Sequence, residues 1–302
     1  MQKSELIERQ SMSLRDKIDL TTERIEKWYD YWGGKVYVAF SGGKDSTVLL
    51  NIARSVFPEI PAVFCDTGLE YPEIRKFVKS FDNITILRPK LSFKQVIEKY
   101  GYPVISKEQS QYIYQARTTK SSKLLNTRLN GNKSGQGKIR EKWKFLLDAP
   151  FSISNKCCYV LKKSPAIIYE KKTGNKAIVG NLADESSLRL TTYLRYGCNM
   201  YNNSRPISAP LSFWKESDIL EYIYLRNLPI CSVYGDIKVS DTGFYNTGLD
   251  RTGCIWCMFG VQNDEYPNRF QRLKQTHPKL HEYCMKELEI KKVLDYMGID
   301  SE

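Results

Sequence analysis

Six consecutive residues, Ser41-Gly-Gly-Lys-Asp-Ser46, constrain this chain more than any other stretch because of what flanks them. Before them, Lys35-Val-Tyr-Val-Ala-Phe40 is short, almost wholly apolar and rich in β-branched and aromatic residues, as a strand buried on both faces of a parallel sheet should be. After them, Val48, Leu49, Leu50, Ile52 and Ala53 continue as a helix. A glycine turn between a buried strand and a helix start can grip phosphate. The glycines let the backbone approach, and the free N–H groups of the first helical turn point at the anion. Lys44, Ser41 and Ser46 can add donors, and Asp45 can hold Mg2+ rather than touch phosphate. The pattern GxxxxGK followed by Ser or Thr is absent, so this is not the Walker-type loop. The competing reading is a glycine turn without a ligand.

The strand–helix alternation continues with a strand at Pro61–Cys65, a helix from about Pro72 to Lys79 and a strand at Ile84–Leu87. This predicts an α/β fold with a doubly wound, mainly parallel sheet. Leu6, Ile7, Leu14, Ile18, Leu20, Ile25 and Trp28 recur at helical intervals and predict one or two N-terminal amphipathic helices. From Lys107 to Phe145 the pattern dissolves into polar, Gly- and Ser-containing sequence, which reads as an insertion or mobile loop. It resumes with a helix near Tyr159–Tyr169, a strand at Lys176–Gly180, a helix at Glu216–Arg226, a Gly- and Cys-rich segment and a charged helix at Glu282–Tyr296. The expected divisions are an N-terminal helical segment (1–30), a nucleotide-binding α/β domain (31–230) with a basic insertion (107–145), and a cysteine-bearing helical segment (231–302).

Composition sharpens the partner question. Forty-six Lys and Arg against 34 Asp and Glu leave +12 over 302 residues, which suggests a polyanionic or nucleotide partner; a solvated Lys-rich surface is the bland alternative. Residues 107–145 carry ten Lys or Arg and two Glu, so two thirds of the excess lies in an eighth of the chain. No run of about 18 apolar residues could span a bilayer, and the charged N-terminus lacks a signal-peptide core, so the expected location is cytoplasmic and the expected membrane partner none. The eight cysteines are then thiols or metal ligands rather than disulfides.

Cys157-Cys158 and Cys254-Ile-Trp-Cys257 form a CC…CxxC pattern with 95 residues between the pairs. Four thiolates suit Zn2+ or an iron–sulfur cluster, and adjacent cysteines, whose side chains diverge, suit a cluster better than one small ion. Cys65, Cys198, Cys231 and Cys284 read as buried thiols, with Cys65 and Cys198 also open to relaying sulfur. His277 and His281 stand in no metal or triad motif and read as solvated or capping groups.

SGGKDS after a buried strand resembles the PP-loop of the adenine-nucleotide α-hydrolase superfamily, whose members split ATP between the α and β phosphates. Asp66-Thr67-Gly68-Leu-Glu70-Tyr71-Pro72-Glu73 resembles the DTG…(F/Y)PE segment of its phosphoadenosine-phosphosulfate (PAPS) reductase branch. Gly180 with Glu185-Ser186-Ser-Leu-Arg189, and Arg205-Pro206…Pro210-Leu211…Trp214…Asp218-Ile219, extend the likeness over about Val36–Gly260. The resemblance implies an adenine-nucleotide α-hydrolase-like, Rossmann-like sheet and a cofactor site of Ser41, Gly42, Gly43, Lys44, Asp45, Ser46, Asp66, Thr67, Gly180, Glu185 and Arg205. Lys44, Asp45, Asp66 and Arg189 are then the catalytic candidates, with Asp66 flanking adenosine or metal and Arg189 the phosphate end. Adenylyl-sulfate-using relatives carry a similar CC…CxxC, which implies a [4Fe-4S] cluster on Cys157, Cys158, Cys254 and Cys257 in the C-terminal helical segment.

Two departures from the reductases shape the functional expectation. Their C-terminal Glu-Cys-Gly-x-His nucleophile has no counterpart in His281-Glu-Tyr-Cys284-Met-Lys-Glu287, and their phosphate loop tends to degenerate, whereas SGGKDS is intact. An intact loop argues for ATP. The leading expectation is an ATP-dependent adenylating enzyme that transfers sulfur to tRNA or DNA, with Mg2+ and a sulfur donor such as a cysteine desulfurase as companions. Its charge would come from Lys44, Lys156, Arg189 and Arg205, because adenylyl transfer runs on positioning and charge neutralisation. Adenylyl-sulfate or PAPS reduction is the alternative enzyme, and a non-catalytic nucleotide-binding subunit is the alternative outside catalysis. A homodimer is compatible with each.

Overall fold

The computed structural model describes residues 2–301. Its main sheet contains β1 (Val36–Ala39), β2 (Ala62–Cys65), β3 (Ile84–Leu87), β4 (Lys176–Val179), β5 (Asn199–Met200) and β6 (Ile207–Ser208). They lie in the order β3-β2-β1-β4-β6-β5, and only the edge strand β5 runs antiparallel to its neighbour. The expected doubly wound, mainly parallel α/β sheet is therefore the architecture. β1 and β2 are buried apolar runs, whereas β3, at the edge, is partly exposed.

Chain order departs from spatial order in one informative place. From β1 the chain winds outward to β2 and β3, then returns to lay β4 on the other flank of β1. Outside the carboxyl ends of β1 and β4 this leaves the crevice in which open α/β sheets bind ligands. Both SGGKDS and Gly180 follow directly from those two strands.

Two N-terminal helices, Lys3–Ser11 and Leu14–Tyr31, form as expected. Ser13 caps the second by accepting the Asp16 N–H, and Thr21, Ile25 and Trp28 line its buried face. Two buried bonds hold it: Trp214 Nε1 donates to Thr21 Oγ1 at 2.9 Å, and Lys17 Nζ meets Asp218 Oδ2 at 2.7 Å. Trp214 and Asp218, matched to the family at the sequence level, thus anchor a helix.

The described chain separates into two compact units. One comprises the chain to Asp66, Glu70–Arg88 and Ala166–Thr252, with the sheet and a hairpin of β7 (Ile237–Ser240) and β8 (Gly243–Asn246). The other comprises Thr67–Leu69, Pro89–Pro165 and the segment from Gly253 onward, and is largely helical.

Three expectations change. Residues 107–145 are not a loop: they contain helices Lys107–Thr118 and Ser122–Asn130, and a 3-10 turn follows at Glu141–Asp148. Ser106 and Ser121 cap the helices by accepting the N–H groups of Gln109 and Leu124, and Gly131 ends the second at φ +96°. The expected helix Glu282–Tyr296 is two, Pro278–Lys286 and Ile290–Tyr296, broken where Glu289 takes a left-handed φ of +49°. The segment 231–302, expected to be helical, begins with the β7–β8 hairpin.

Candidate active site

The phosphate loop is wound on its own hydrogen bonds. Gly42 sits at φ +74°, and a Cβ there would lie 2.8 Å from Val78 Cγ2, so conformation and space both require glycine. Ser46 Oγ accepts the Ser41 N–H at 3.1 Å and donates to the Gly43 carbonyl at 2.9 Å. Thr47 Oγ1 donates to the same carbonyl at 2.9 Å. Gly43 caps the helix Lys44–Val56 in an extended conformation; its N–H donates to Ser41 Oγ at 3.3 Å, and the Lys44 N–H donates to the Tyr234 hydroxyl. Gly180 completes the turn from the neighbouring strand: a Cβ on it would stand 3.1 Å from the Asp45 carbonyl carbon and oxygen. A side chain here would push the loop backbone back by a few tenths of an ångström, so glycine favours this close approach of β4.

Charged groups gather on the same edge, several already paired. Lys44 is buried; its Nζ donates to Glu216 Oε1 and Asn246 Oδ1, both at 2.9 Å, and lies 5.4 Å from the centre of the Tyr234 ring. The lysine expected at phosphate is thus held by two partners that the sequence did not announce. Burial raises the Asp45 carboxyl above its usual range, opposed by Lys44 and reinforced by Glu216. Arg189 forms an ion pair with Glu185, and Arg251 approaches Glu185 Oε1 at 3.4 Å. Burial first and Arg251 second lower the pKa of Arg189, while Asp45 opposes them. Asp66, buried just beyond β2, is met by Arg75 at 3.0 Å and Arg88 at 3.9 Å. Thr67 Oγ1 accepts the Leu69 N–H at 3.2 Å within the second unit.

Arg205 does not join this group. Ala177 pairs with Ile207, so Arg205 lies level with the start of β4, at the amino-terminal edge of the sheet, whereas the loop follows the carboxyl-terminal edge. Its guanidinium makes two 2.7 Å bonds to Glu170, which also accepts the Tyr37 hydroxyl at 2.7 Å. Arg205 braces the sheet, and its expected place at the nucleotide is corrected accordingly.

All four cysteines of the CC…CxxC pattern line one apolar pocket of the second unit, with Leu69, Phe93, Pro103, Leu161, Lys162 and Trp256. Cys157 and Cys158 open a helical segment whose next turn, Tyr159–Lys163, is a π-helix leading into Pro165. The wide turn accommodates a proline that cannot donate back to the preceding turn. Cys157 Sγ donates to Cys158 Sγ at 3.9 Å. That bond, assisted by Lys107, Lys162 and Lys163, pushes the Cys158 thiol down to about 6, while the same bond and burial push Cys157 up. Arg269 was not foreseen: it grips Asp264 and donates to the carbonyls of Cys257 and Phe259 at 3.0 and 2.9 Å, fixing the CxxC loop. Among the described residues no three Cys, His, Asp or Glu groups converge closely enough to hold a metal ion. The donor set of four soft thiols around one dry pocket nonetheless fits a cluster better than a single ion.

Cys198, Cys231 and Cys284 are buried, and burial raises the thiols of Cys198 and Cys284 to about 11 and about 12. Cys65 is half-buried at the end of β2. His277 caps the helix Pro278–Lys286, whereas His281 is buried against the Ser301 carbonyl at 3.1 Å instead of being solvated. No helix among the described residues is long and apolar enough to cross a membrane.

A phosphate loop at the switch point of a mainly parallel sheet defines an α/β chain of the PP-loop, adenine-nucleotide α-hydrolase kind. The family model described as "Phosphoadenosine phosphosulfate reductase domain" matches residues 35–146 and 126–258, and the chain belongs to this PAPS reductase family. It is 23% identical to an uncharacterized protein of Methanocaldococcus jannaschii over 85% of this chain and 49% of that one, so it spans about half the length of that relative. It is 26% identical to the adenosine 5'-phosphosulfate reductase of Geobacillus kaustophilus over 67% of this chain and 68% of that enzyme. Among solved structures, the PAPS reductase of Candida auris superposes with a TM-score of 0.41 at 15% identity, covering 74% of this chain and 91% of that one. The U34-tRNA thiolase of Methanococcus maripaludis with its [4Fe-4S] cluster gives 0.37 at 14% identity, covering 95% and 83%. Family membership rests on the sequence match and the sheet order, to which these superpositions add nothing.

Proposed function

We propose that the chain is an ATP-dependent adenylating enzyme that cleaves ATP between the α and β phosphates and serves sulfur transfer to a nucleic acid. The observation that carries this reading is the intact SGGKDS loop, wound at the switch point with Gly180 closed against Asp45. In this reading the Gly43 and Lys44 N–H groups exchange Ser41 Oγ and the Tyr234 hydroxyl for the departing pyrophosphate, joined by the Asp45 N–H, and Arg189 and Arg251 neutralise charge at the α phosphate. Lys44 exchanges Glu216 and Asn246 for phosphate oxygen when nucleotide arrives. Asp45 would hold Mg2+, and Asp66 would flank the adenosine or the metal. An acceptor oxygen attacks the α phosphorus, pyrophosphate leaves, and a sulfur nucleophile then displaces AMP from the adenylated acceptor. Cys157, Cys158, Cys254 and Cys257 would hold a [4Fe-4S] cluster, which supplies a site where sulfur is bound on its way to the acceptor. A cysteine desulfurase is a suitable donor, the cytoplasm a suitable location, and a homodimer a compatible assembly.

Incubation with α-labelled ATP, nucleic acid and a sulfur donor should release AMP and pyrophosphate, and neither above background would overturn the reading. The relatives named adenosine 5'-phosphosulfate reductase favour one alternative, reduction of adenylyl sulfate. Thioredoxin-dependent sulfite release without ATP turnover would select it. Nucleotide binding with neither reaction would instead leave an accessory subunit.

A further inference from the structure

The helical unit holds a second cavity of different character, lined by Lys107, Gln111, Asn155, Lys156, Tyr159 and Lys163, with Cys158 on its wall. The three lysines come from separate places: Lys107 opens the helix Lys107–Thr118, Lys156 precedes the cysteine pair, and Lys163 closes the π turn. All three are exposed, unlike Lys17 and Lys44, which are buried and paired with Asp218 and Glu216. Among the described residues no carboxylate lies within ion-pair distance of Lys107, Lys156 or Lys163. Three ammonium groups facing one space repel each other, and an anion placed among them removes that repulsion.

Two further features specify the anion. Asn155 Nδ2 donates to Gln111 Oε1 at 3.4 Å, which leaves the second Asn155 N–H and both Gln111 N–H groups available to oxygen acceptors. Tyr159 is 55% exposed, so an aromatic face stands beside the positive charge. The cavity, about 310 Å³, holds much more than one water, whose share of liquid is about 30 Å³. Ammonium groups, amide donors and an exposed ring in one open groove are the components of single-strand recognition, in which cations track phosphates and bases stack.

We propose that this cavity holds a single-stranded stretch of nucleic acid, with Lys107, Lys156 and Lys163 on backbone phosphates, Gln111 and Asn155 on phosphate or sugar oxygens, and Tyr159 against a base. The strand then lies beside Cys158. The assignment rests on the nucleic-acid acceptor of the proposed function and gives it a location.

The test is fluorescence anisotropy of a labelled short single-stranded RNA titrated with the full chain over a range of salt. Replacing Lys107, Lys156 and Lys163 together by Gln should weaken binding about 10- to 100-fold and reduce the salt slope by about 2, as expected for three lost phosphate contacts on a single strand. The triple Lys→Arg variant should retain affinity. Tyr159→Ala should lose about tenfold and Tyr159→Phe little, because stacking needs the ring and not the hydroxyl. Thermal melting confirms that each variant is folded. If wild type and the Gln variant bind RNA alike with the same slope, the cavity assignment is overturned while a nucleic-acid acceptor stands. If the wild type binds no RNA or single-stranded DNA even at low salt, the acceptor reading fails and the assignment with it. Should the Gln variant lose adenylyl sulfate but keep RNA, the cavity serves a small oxyanion and the assignment is overturned.

Discussion

The phosphate loop takes six consecutive residues, whereas the cysteine pocket draws one pair from 157–158 and the other from 254–257. In the loop most determinants are backbone or short-range: the left-handed Gly42, the Gly43 cap, the Gly180 contact and hydroxyl-to-backbone hydrogen bonds spanning only a few residues. In the pocket the determinants are side chains brought together by tertiary packing, braced by Arg269 and Asp264. Local geometry of the first kind is encoded locally and sits on a rigid sheet edge. The second kind exists only once a whole helical unit has folded. Damage to one site should therefore differ in kind from damage to the other, and three substitutions in the sheet unit put that to the test.

The largest effect is expected from Asp218→Ala. It strands the buried Lys17 ammonium without its carboxylate and removes an acceptor for the Lys215 N–H, which should cost about 3–5 kcal/mol in denaturant unfolding. Unfolding that shifts by less than about 1 kcal/mol would mean the pair is dispensable. Next, Gly42→Ala forces an L-residue into φ +74° and a methyl group into Val78. About 1–3 kcal/mol of strain is expected, with loss of ATP binding by calorimetry. If the cysteines hold the proposed cluster and the contrast between the sites is right, absorption near about 400 nm and iron content should match wild type in this variant.

The smallest stability change, with the largest functional one, belongs to Asp45→Asn. Burial raises the folded-state pKa of Asp45, so the neutral form favours the folded protein. That stabilisation is fully present below the ordinary carboxylate pKa and is lost as pH rises through the raised one. The amide that replaces the carboxyl is neutral at every pH, so the variant should equal or exceed wild type in stability at neutral pH and show a flatter acid limb between those two pKa values. ATP cleavage should fall to background. A variant that is less stable at neutral pH would show that the carboxylate is structural.

The strands and the loop were legible because each is announced by a contiguous pattern. Apolar β-branched runs mark β1 to β4 within a residue or two, and the glycine turn stands where β1 ends. The helices Lys107–Thr118 and Ser122–Asn130 were missed although their caps, Ser106 and Ser121, are present in the sequence. Polar, weakly amphipathic helices give little periodicity to read, and few residues of this pair are buried. Much of their charge is also committed: Arg128 donates to Gln115 and the Gly137 carbonyl and stacks on Tyr112, while Arg117 donates to the Phe151 and Ala149 carbonyls. Net charge counted along the segment therefore overstated what it can offer a partner.

Arg205 shows the other limit. Its distance in sequence from the loop says nothing about which end of the sheet it occupies; only the pairing of Ala177 with Ile207 settles that, because in a parallel sheet a strand's first residue and its last face opposite edges. Glu216, Asn246 and Tyr234 were likewise invisible as partners of Lys44, since no spacing rule connects residues so far apart. What the sequence by itself determined is the family, the sheet and the phosphate turn, all written in short-range pattern and glycine placement. Tertiary structure alone decided which charges face the turn, which are spent on each other, and that four cysteines from two segments share one pocket, because long-range proximity is a property of packing and not of spacing.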